Sequence, residues 1–525
     1  MSAETVPIVI VGAGPVGTVL ALELARHGVR SVLIDKHARP SPHPKMDYLN
    51  GRSMELLRRL GVVEEIRARG VGAEHAFTFI WSRSFLEPPL ATWEYLSVAE
   101  VRARIAETND GTSPLEPYQR LPGNVLEELL RAEAARTPLV DLRLGTALTG
   151  LEDTGEEVVA TLVTDGGESR MRARYLVGCD GAGSTVREKA QIALSRSGPA
   201  EEFLDVYFRS SDPALRRHGR FFLAIVAGGI TLVSRDERDT WTGFFPVFEA
   251  SDADDPVATM RRRLGVDFAV DACMNVARWR GSMAVAEAYR RGSVFLAGDA
   301  AHQFYPTGGH GANTGIGDAA DLGWKLAAVL NGWAGAGALD SYEAERRPVA
   351  LFNREMCHNL LEVWRRFPQL AADGASREHL AGFLEQDRYQ IENLGIYFDY
   401  RYTGSPIVAS ERGRPPAWSW RGITPTTWPG SRVPSVVLDE GSAIFDRLGP
   451  GFTLVDFTPG GDGAGVLDGA AARGMPVTHL RIDDKNAREV WGHDLVLVRP
   501  DQHSAWRGDV PPADWGPLLD RVRGF

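Results

Sequence analysis

The stretch Val6-Pro7-Ile8-Val9-Ile10-Val11-Gly12-Ala13-Gly14-Pro15-Val16-Gly17 decides the fold of this chain. An apolar, β-branched run at 6–11 stops at a glycine turn, and helical spacing over 16–27 follows, with Gly28 as its stop. A second apolar run, 31–35, ends at Asp35 and Lys36. Together they make one β-α-β unit of about 30 residues. Gly12 permits the tight turn, Gly14 lets backbone approach a pyrophosphate, and Gly17 allows close helix–strand packing. Pro15 and Val16 open a helix whose positive end meets phosphates. Asp35 is placed for a ribose hydroxyl. The unit reads as a dinucleotide site without saying which dinucleotide.

Two further segments each put a carboxylate beside a glycine at the end of a short apolar run. They are Cys179-Asp180-Gly181-Ala182-Gly183 and Gly298-Asp299-Ala300-Ala301-His302. In open α/β sheets ligands bind at such strand ends. Either segment alone reads equally as an Asp-Gly turn. Just beyond, Pro306-Thr307-Gly308-Gly309-His310-Gly311-Ala312-Asn313 precedes a long apolar-striped helix at 311–330. A helix start there offers N–H donors and a positive dipole end.

At 525 residues the chain calls for two to three domains, and 44% hydrophobic with 24% charged residues is a globular composition. A net charge of -11 argues against a nucleic-acid partner. Cys179, Cys273 and Cys357 stand too far apart for a disulfide framework, a zinc ribbon or a thiol redox pair. No metal site is expected. The uncharged stretch 5–22 holds three glycines and two prolines, so it reads as strand, turn and helix start rather than a membrane span. No signal peptide is expected, and a cytoplasmic location fits. From 204 to 285 the texture is alternating strands (221–226, 230–233, 241–247), a mainly antiparallel sheet inserted into an α/β domain. A Gly/Pro/Trp-rich passage at 412–434 marks a boundary, followed by strand-like runs at 435–438, 452–457, 477–482 and 495–498.

The three glycine–carboxylate segments resemble the G-x-G-x-x-G, D-G and G-D motifs of class A flavin monooxygenases, the p-hydroxybenzoate and phenol hydroxylase type. The likeness runs to Tyr342-Glu343-Ala344-Glu345-Arg346-Arg347-Pro348. It continues through Thr426-Thr427-Trp428-Pro429-Gly430-Ser431-Arg432 and Arg499-Pro500-Asp501-Gln502-His503-Ser504-Ala505-Trp506-Arg507, similar to the tails of dichlorophenol and aromatic-polyketide hydroxylases. The resemblance implies an α/β fold with three parts. A Rossmann-like FAD domain takes 1–78, 104–187 and 288–375, and a substrate domain takes 79–103 and 188–287. A connecting segment, 376–411, leads to a thioredoxin-like domain at 412–525 that has no cysteine.

It also implies FAD and NAD(P)H as cofactors. Asp299 would bind the ribityl chain, and Asp180 the nucleotide part. Pro306, Gly309, Gly311, Ala312 and Asn313 would present a helix N-terminus to the flavin pyrimidine edge. Lys45 stands where the family usually has arginine, losing the bidentate fork. Gly123 stands where many relatives have a flavin-contacting glutamine, which leaves Gln119 or Arg120 for that contact; Arg52 completes the cofactor set.

Lys45-Met46-Asp47 through Arg52-Ser53-Met54-Glu55 is similar to the phenol hydroxylase pattern in which an aspartate takes the substrate's hydroxyl proton. Asp47 is therefore the candidate catalytic base. On residues alone it reads also as a loop carboxylate capping the helix around Arg52. The implied reaction hydroxylates a phenolic or aromatic polyketide-like substrate with O2 through a flavin C4a-hydroperoxide. Phe222, Trp241, Phe244 and Phe245 are candidate pocket lining, although alternation turns only some inward. Rivals are Baeyer–Villiger or epoxidising chemistry on the same frame, or a flavoprotein that only sequesters an aromatic. A monomer or homodimer is expected, with no membrane partner. Trp418-Ser419-Trp420 lies outside the flavin motifs and reads as packing.

Overall fold

In a computed structural model of the chain, residues 4–388 and 393–525 are described. Strand Glu4–Val11 runs parallel between Ser31–Asp35 and the second half of Gly167–Gly178. Val140–Leu144 and Val294–Leu296 extend this sheet on either side, also parallel. Ile8, Val9 and Ile10 have no exposure at all, because the strand is packed in a core that draws on helices, through Leu20 and Ile316, and on antiparallel strands, through Leu148, Ala160 and Leu162. Helix Pro15–Arg26 packs on one face against the 21-residue helix His310–Leu330. The short apolar run before Cys179 is the end of a 12-residue strand, Gly167–Gly178. Its charged first half pairs antiparallel with Val158–Thr164, and only alternate side chains there are buried, which hid it.

A second sheet has seven strands in the order Ala272–Gly281, Glu201–Arg209, Thr240–Pro246, Ile230–Ser234, Leu223–Val226, Phe77–Ser82, Ala91–Tyr95. All its pairings are antiparallel except Leu223–Val226 with Phe77–Ser82. Phe77 begins this sheet two residues inside the stretch assigned to the FAD domain from sequence. One face is closed by helix Pro256–Leu264 over a core that includes Val206, Phe208, Leu232 and Met260. The opposite face carries Phe77, Phe79, Phe222 and Val233, with Val363 and Phe367 of the long helix Ala336–Ala372 against them.

The last part is a four-stranded sheet ordered Val477–Arg481, Phe452–Asp456, Leu495–Val498, Ser504–Gly508, with only the first pair parallel. That order is thioredoxin-like. The run at 435–438 is not a strand. Val437 makes one isolated bridge to Ala443, while Val436 and Leu438 fill a core under helix Lys485–Trp491. Apolar content there serves packing, not pairing. Trp418 meets Phe352 edge-on at 5.0 Å, a packing contact outside the glycine turns.

This part is joined to helices His310–Leu330 and Ala336–Ala372 by buried ions. Arg499 reaches Glu345 Oε1 at 2.7 Å, Asp321 Oδ1 at 3.1 Å and Asp501 Oδ2 at 2.6 Å. Lys325 Nζ reaches Asp321 at 2.7 Å and Glu345 at 2.6 Å. Three carboxylates thus converge in a metal-like cluster, but two side-chain cations already occupy their centre. No helix among the described residues is long and apolar enough to cross a membrane.

Candidate active site

The glycine turn shows three different uses of a missing side chain. A Cβ at Gly12, whose φ is +107°, would lie 2.4 Å from Cys179 O, and one at Gly17 would lie 2.0 Å from Gly12 O. Both glycines are demanded by backbone packing. A Cβ at Gly14 would meet nothing within 4 Å, so this glycine keeps an approach to the backbone open. Asp35 Oδ2 accepts from Ala13 N at 2.8 Å and lies 3.1 Å from Arg131 Nη2, while Oδ1 accepts from His37 N. Arg131 Nε also donates to Ala13 O at 2.8 Å. Arg131 was not found from sequence, since nothing in helix Gly123–Arg136 separates it from an ordinary surface arginine. Lys36 and Lys45 are exposed.

Asp180 accepts from Ser184 Oγ at 2.5 Å and Val186 N at 3.1 Å, which ties the turn to Ser184, the N-cap of the short helix Thr185–Lys189. Gly298 N donates to Asp318 Oδ2 at 3.1 Å. Asp318 is held in turn by His302 Nε2 at 2.8 Å and Arg346 Nε at 2.8 Å. Asp299, the next residue, is open to solvent, yet protein surrounds its carboxyl and raises its pKa. Those two facts agree for a group on the wall of a cleft. The Cβ position of Gly311 points at Asp299 Oδ1, 3.9 Å away, so the helix N-terminus and this carboxyl share one space. Pro306 leads into Thr307–Gly309, with Gly308 and Gly309 left-handed. His310 is kept neutral near pH 7 by burial, its pKa lowered to about 4. The N–H groups that follow are therefore the positive feature of this end. An open approach at Gly14, a ribose-type carboxylate and an N-terminus facing Asp299 fit a flavin dinucleotide.

Asp47 precedes the two-residue strand Tyr48–Leu49, which pairs with Gln119–Arg120. It is 6% exposed, and neither carboxylate oxygen has a hydrogen-bond partner. Arg120 Nη2 is 3.6 Å from Oδ2 and Arg235 Nη1 is 3.9 Å from Oδ1. Burial raises its pKa to about 6, against the pull of Arg120 and Arg235 and with a push from Glu237. The capping reading falls. Asn50 is the N-cap of helix Gly51–Arg58, accepting from Ser53 N at 2.8 Å.

Arg235 and Glu237 from the turn between strands Ile230–Ser234 and Thr240–Pro246, and Asp205 from strand Glu201–Arg209, complete this surface. Arg235 Nε donates to Thr242 Oγ1 at 3.0 Å. Glu237 Oε1 accepts from Arg120 Nη1 at 2.5 Å. Asp205 accepts from Trp279 Nε1 at 2.7 Å and lies 3.0 Å from His43 Nε2. Cross-strand pairing of Asp205 with Phe244 and of Tyr207 with Thr242 sets these four side chains on one face. Sequence reading missed Arg235 and Glu237 because Ser234-Arg235-Asp236-Glu237-Arg238-Asp239 looks like a solvated charged turn.

Several expected contacts are corrected. Trp241 and Phe245 belong to the core under helix Pro256–Leu264, on the face opposite Phe222 and Phe244, because side chains alternate along Thr240–Pro246. Gln119 spends its amide on Val71 O, Arg120 O and Arg67. Asn313 spends all of its side chain on Asn50 N, Ser53 Oγ, Tyr48 O and Gly309 O. Arg52 is directed to Gln502 and Asp501. Arg120 lies over the Phe222 ring at 4.2 Å and beside Asp47, which moves it to the aromatic face.

Fold and site together define a flavoprotein with an aromatic-faced second sheet. Residues 5–353 match the family described as FAD binding domain, and 426–524 match the C-terminal domain of aromatic-ring hydroxylases. The chain belongs to the FAD-dependent aromatic monooxygenases. It is 34% identical to the FAD-dependent monooxygenase apdD of Emericella nidulans, over 96% of this chain and 87% of that protein. It is 31% identical to aklavinone 12-hydroxylase RdmE of Streptomyces purpurascens, over 99% of each. Among solved structures, native and K252c-bound RebC-10x superposes with a TM-score of 0.89 at 32% identity, covering 99% of both chains.

Proposed function

We propose that this monooxygenase hydroxylates a phenolic aromatic at the expense of NAD(P)H and O2. The observation that carries the reading is Asp47: a buried carboxylate, without hydrogen bonds, beside the aromatic face of the second sheet. A phenol hydroxyl placed there donates its proton to Asp47, and the ring gains the electron density that electrophilic oxygen requires. Arg120 and Arg235, both close to that carboxylate, favour the resulting negative charge. Phe222 and Phe244 supply apolar contact for the ring. RdmE, similar along its whole length, is named as an aklavinone 12-hydroxylase, which supports hydroxylation of an aromatic polyketide-like substrate here.

FAD would be held by the turn at Gly12, Gly14 and Gly17 with Pro15 and Val16, by Asp35 and Asp180, and by Asp299 with the turn at Pro306 and Gly309 and the N-terminus at Gly311 and Ala312. Lys45 stands near Asp299. When bound, FAD supplies hydride acceptance from NAD(P)H and the activation of O2. The balance is one O2, one NAD(P)H and one proton consumed for each hydroxyl and each water formed. The chain's part is to hold substrate, take its proton and exclude water.

The test is oxidation of NADPH or NADH by purified protein with phenol, catechol, naphthol and a dihydroxyanthraquinone, with products read by NMR. Substrate-stimulated oxidation yielding a ring-hydroxylated product is expected. A yellow protein with no stimulated oxidation, or a ring-expanded ester or epoxide as product, sinks the reading.

A further inference from the structure

The thioredoxin-like sheet meets the flavin domain through the tip of one hairpin. Strands Leu495–Val498 and Ser504–Gly508 pair antiparallel, and Arg499, Asp501, Gln502 and His503 at the turn between them are all buried. Hairpin tips ordinarily face water; this one is driven into a neighbour. Gln502 has φ +66°, a left-handed conformation that disfavours a side chain. The strain comes with a contact. Gln502 Oε1 accepts from Arg52 Nη1 at 2.5 Å, and the carbonyl of Asp501 accepts from Arg52 Nη2 at 2.7 Å. Arg499 anchors the tip through Glu345 and Asp501.

Arg52 lies in the first turn of Gly51–Arg58. On its other side the segment is clipped to the long flavin-facing helix, where Asn313 Oδ1 accepts from Asn50 N at 2.9 Å and Asn313 Nδ2 donates to Tyr48 O at 3.0 Å. Residues 48–52 are thus held between two domains, and Asp47 comes immediately before them. No hydrogen bond restrains the Asp47 side chain. Besides the looser ion contacts to Arg120 and Arg235, backbone holds it: Leu121 N donates to Asp47 O at 3.2 Å, and Tyr48–Leu49 pairs with Gln119–Arg120.

We propose that Gln502 is a positioning residue of the active site: by holding Arg52, the C-terminal domain fixes the segment that carries Asp47. This rests on the reading of Asp47 as the base. It gives a domain without cysteines a part in the reaction that needs no redox chemistry of its own. The charged groups facing Asp47, namely Arg120, Arg235 and Glu237, stay in place when Gln502 changes, so an altered environment for Asp47 reports movement of its own segment.

The experiment compares full-length holoenzymes with naphthol as the probe. Gln502→Gly accepts the left-handed turn and removes the acceptor; Gln502→Glu keeps an acceptor and sets a negative charge beside Arg52. For Gln502→Gly we expect full FAD content and coupled hydroxylation lowered about tenfold, with NAD(P)H consumption continuing as peroxide. The acid limb of the pH profile should move down as water reaches Asp47, and Gln502→Glu should restore most of both. Unchanged coupling and acid limb in Gln502→Gly overturn the proposal, and so does FAD loss with unaltered turnover per bound flavin. Asp47→Asn runs in parallel. If it leaves the acid limb untouched, the reading of Asp47 fails and this proposal with it; if only Gln502→Gly leaves the limb untouched, the proposal alone fails.

Discussion

Arg235 Nη1 stands 3.9 Å from Asp47 Oδ1 without a hydrogen bond between them. A carboxylate at that distance gains some Coulomb attraction but no donor, so desolvation prevails and the pKa rises to about 6. The rate of hydroxylation should therefore fall as pH drops through about 6, because the base is lost to protonation. Asp47→Asn should abolish that limb and lower kcat by on the order of 100-fold, which stopped-flow or steady-state pH profiles would read.

The same shift fixes a stability effect of opposite sense. A carboxyl whose folded pKa lies above its unfolded value favours folding below the unfolded pKa, and that gain is lost as pH rises through the folded value. Asp47 therefore destabilises the protein at pH 8, and Asp47→Asn should raise Tm there and leave it nearly unchanged at pH 4. A Tm gain that is equal at both pH values would refute the buried, unpaired carboxylate.

Gly12 and Gly14 should separate folding from flavin binding. Gly12→Ala forces a Cβ to within 2.4 Å of Cys179 O at a positive φ, and should give little soluble protein. Gly14→Ala meets no protein atom within 4 Å, so the chain should fold with an unaltered circular dichroism spectrum. Its methyl instead obstructs pyrophosphate approach, and FAD affinity should fall at least tenfold. Fluorescence titration of the apoprotein measures this.

Those glycines were legible in the sequence because their requirement is local: strand, turn and helix follow one another within 30 residues. Asp47 was legible only through a family pattern. Arg235, Glu237 and Asp205 were not, because a turn between two strands and the pairing of a third bring them to one place. Arg52 was assigned to the cofactor for the mirror reason. Its acceptor, Gln502, is 450 residues away, and no local signal announces such a partner. The alternation that Thr240–Pro246 must obey was known, but which of its faces looks at the site depended on where helix Pro256–Leu264 came to lie.

The buried ions at the domain seam predict a large stability effect and no metal dependence. Arg499→Met leaves Glu345, Asp321 and Asp501 with Lys325 alone among the cations now bonded to them. Breaking a buried pair from one side costs about 3–5 kcal/mol, so thermal unfolding should begin several degrees lower. A chelator should leave both Tm and activity of the wild type unchanged, since side-chain cations fill the space a metal would need. Loss of activity with the chelator would show that the carboxylates hold an ion after all.

Trp241 and Phe244 stand three residues apart on one strand, yet they should fail in different assays. Trp241 has no exposure and packs in the core with Met260 and Leu264. Its truncation to alanine removes a large buried side chain, at about 3–5 kcal/mol, and KM of the folded fraction should hold. Phe244 faces the other way, opposite Asp205 and stacked on Trp364 at 6.1 Å. Phe244→Ala should cost less stability and raise KM for the aromatic several-fold, with kcat less affected, because it removes apolar contact common to ground and transition states. Steady-state kinetics beside thermal melts of both variants decide the matter: a KM rise in Trp241→Ala matched by none in Phe244→Ala would turn the sheet over and place the substrate on its other face.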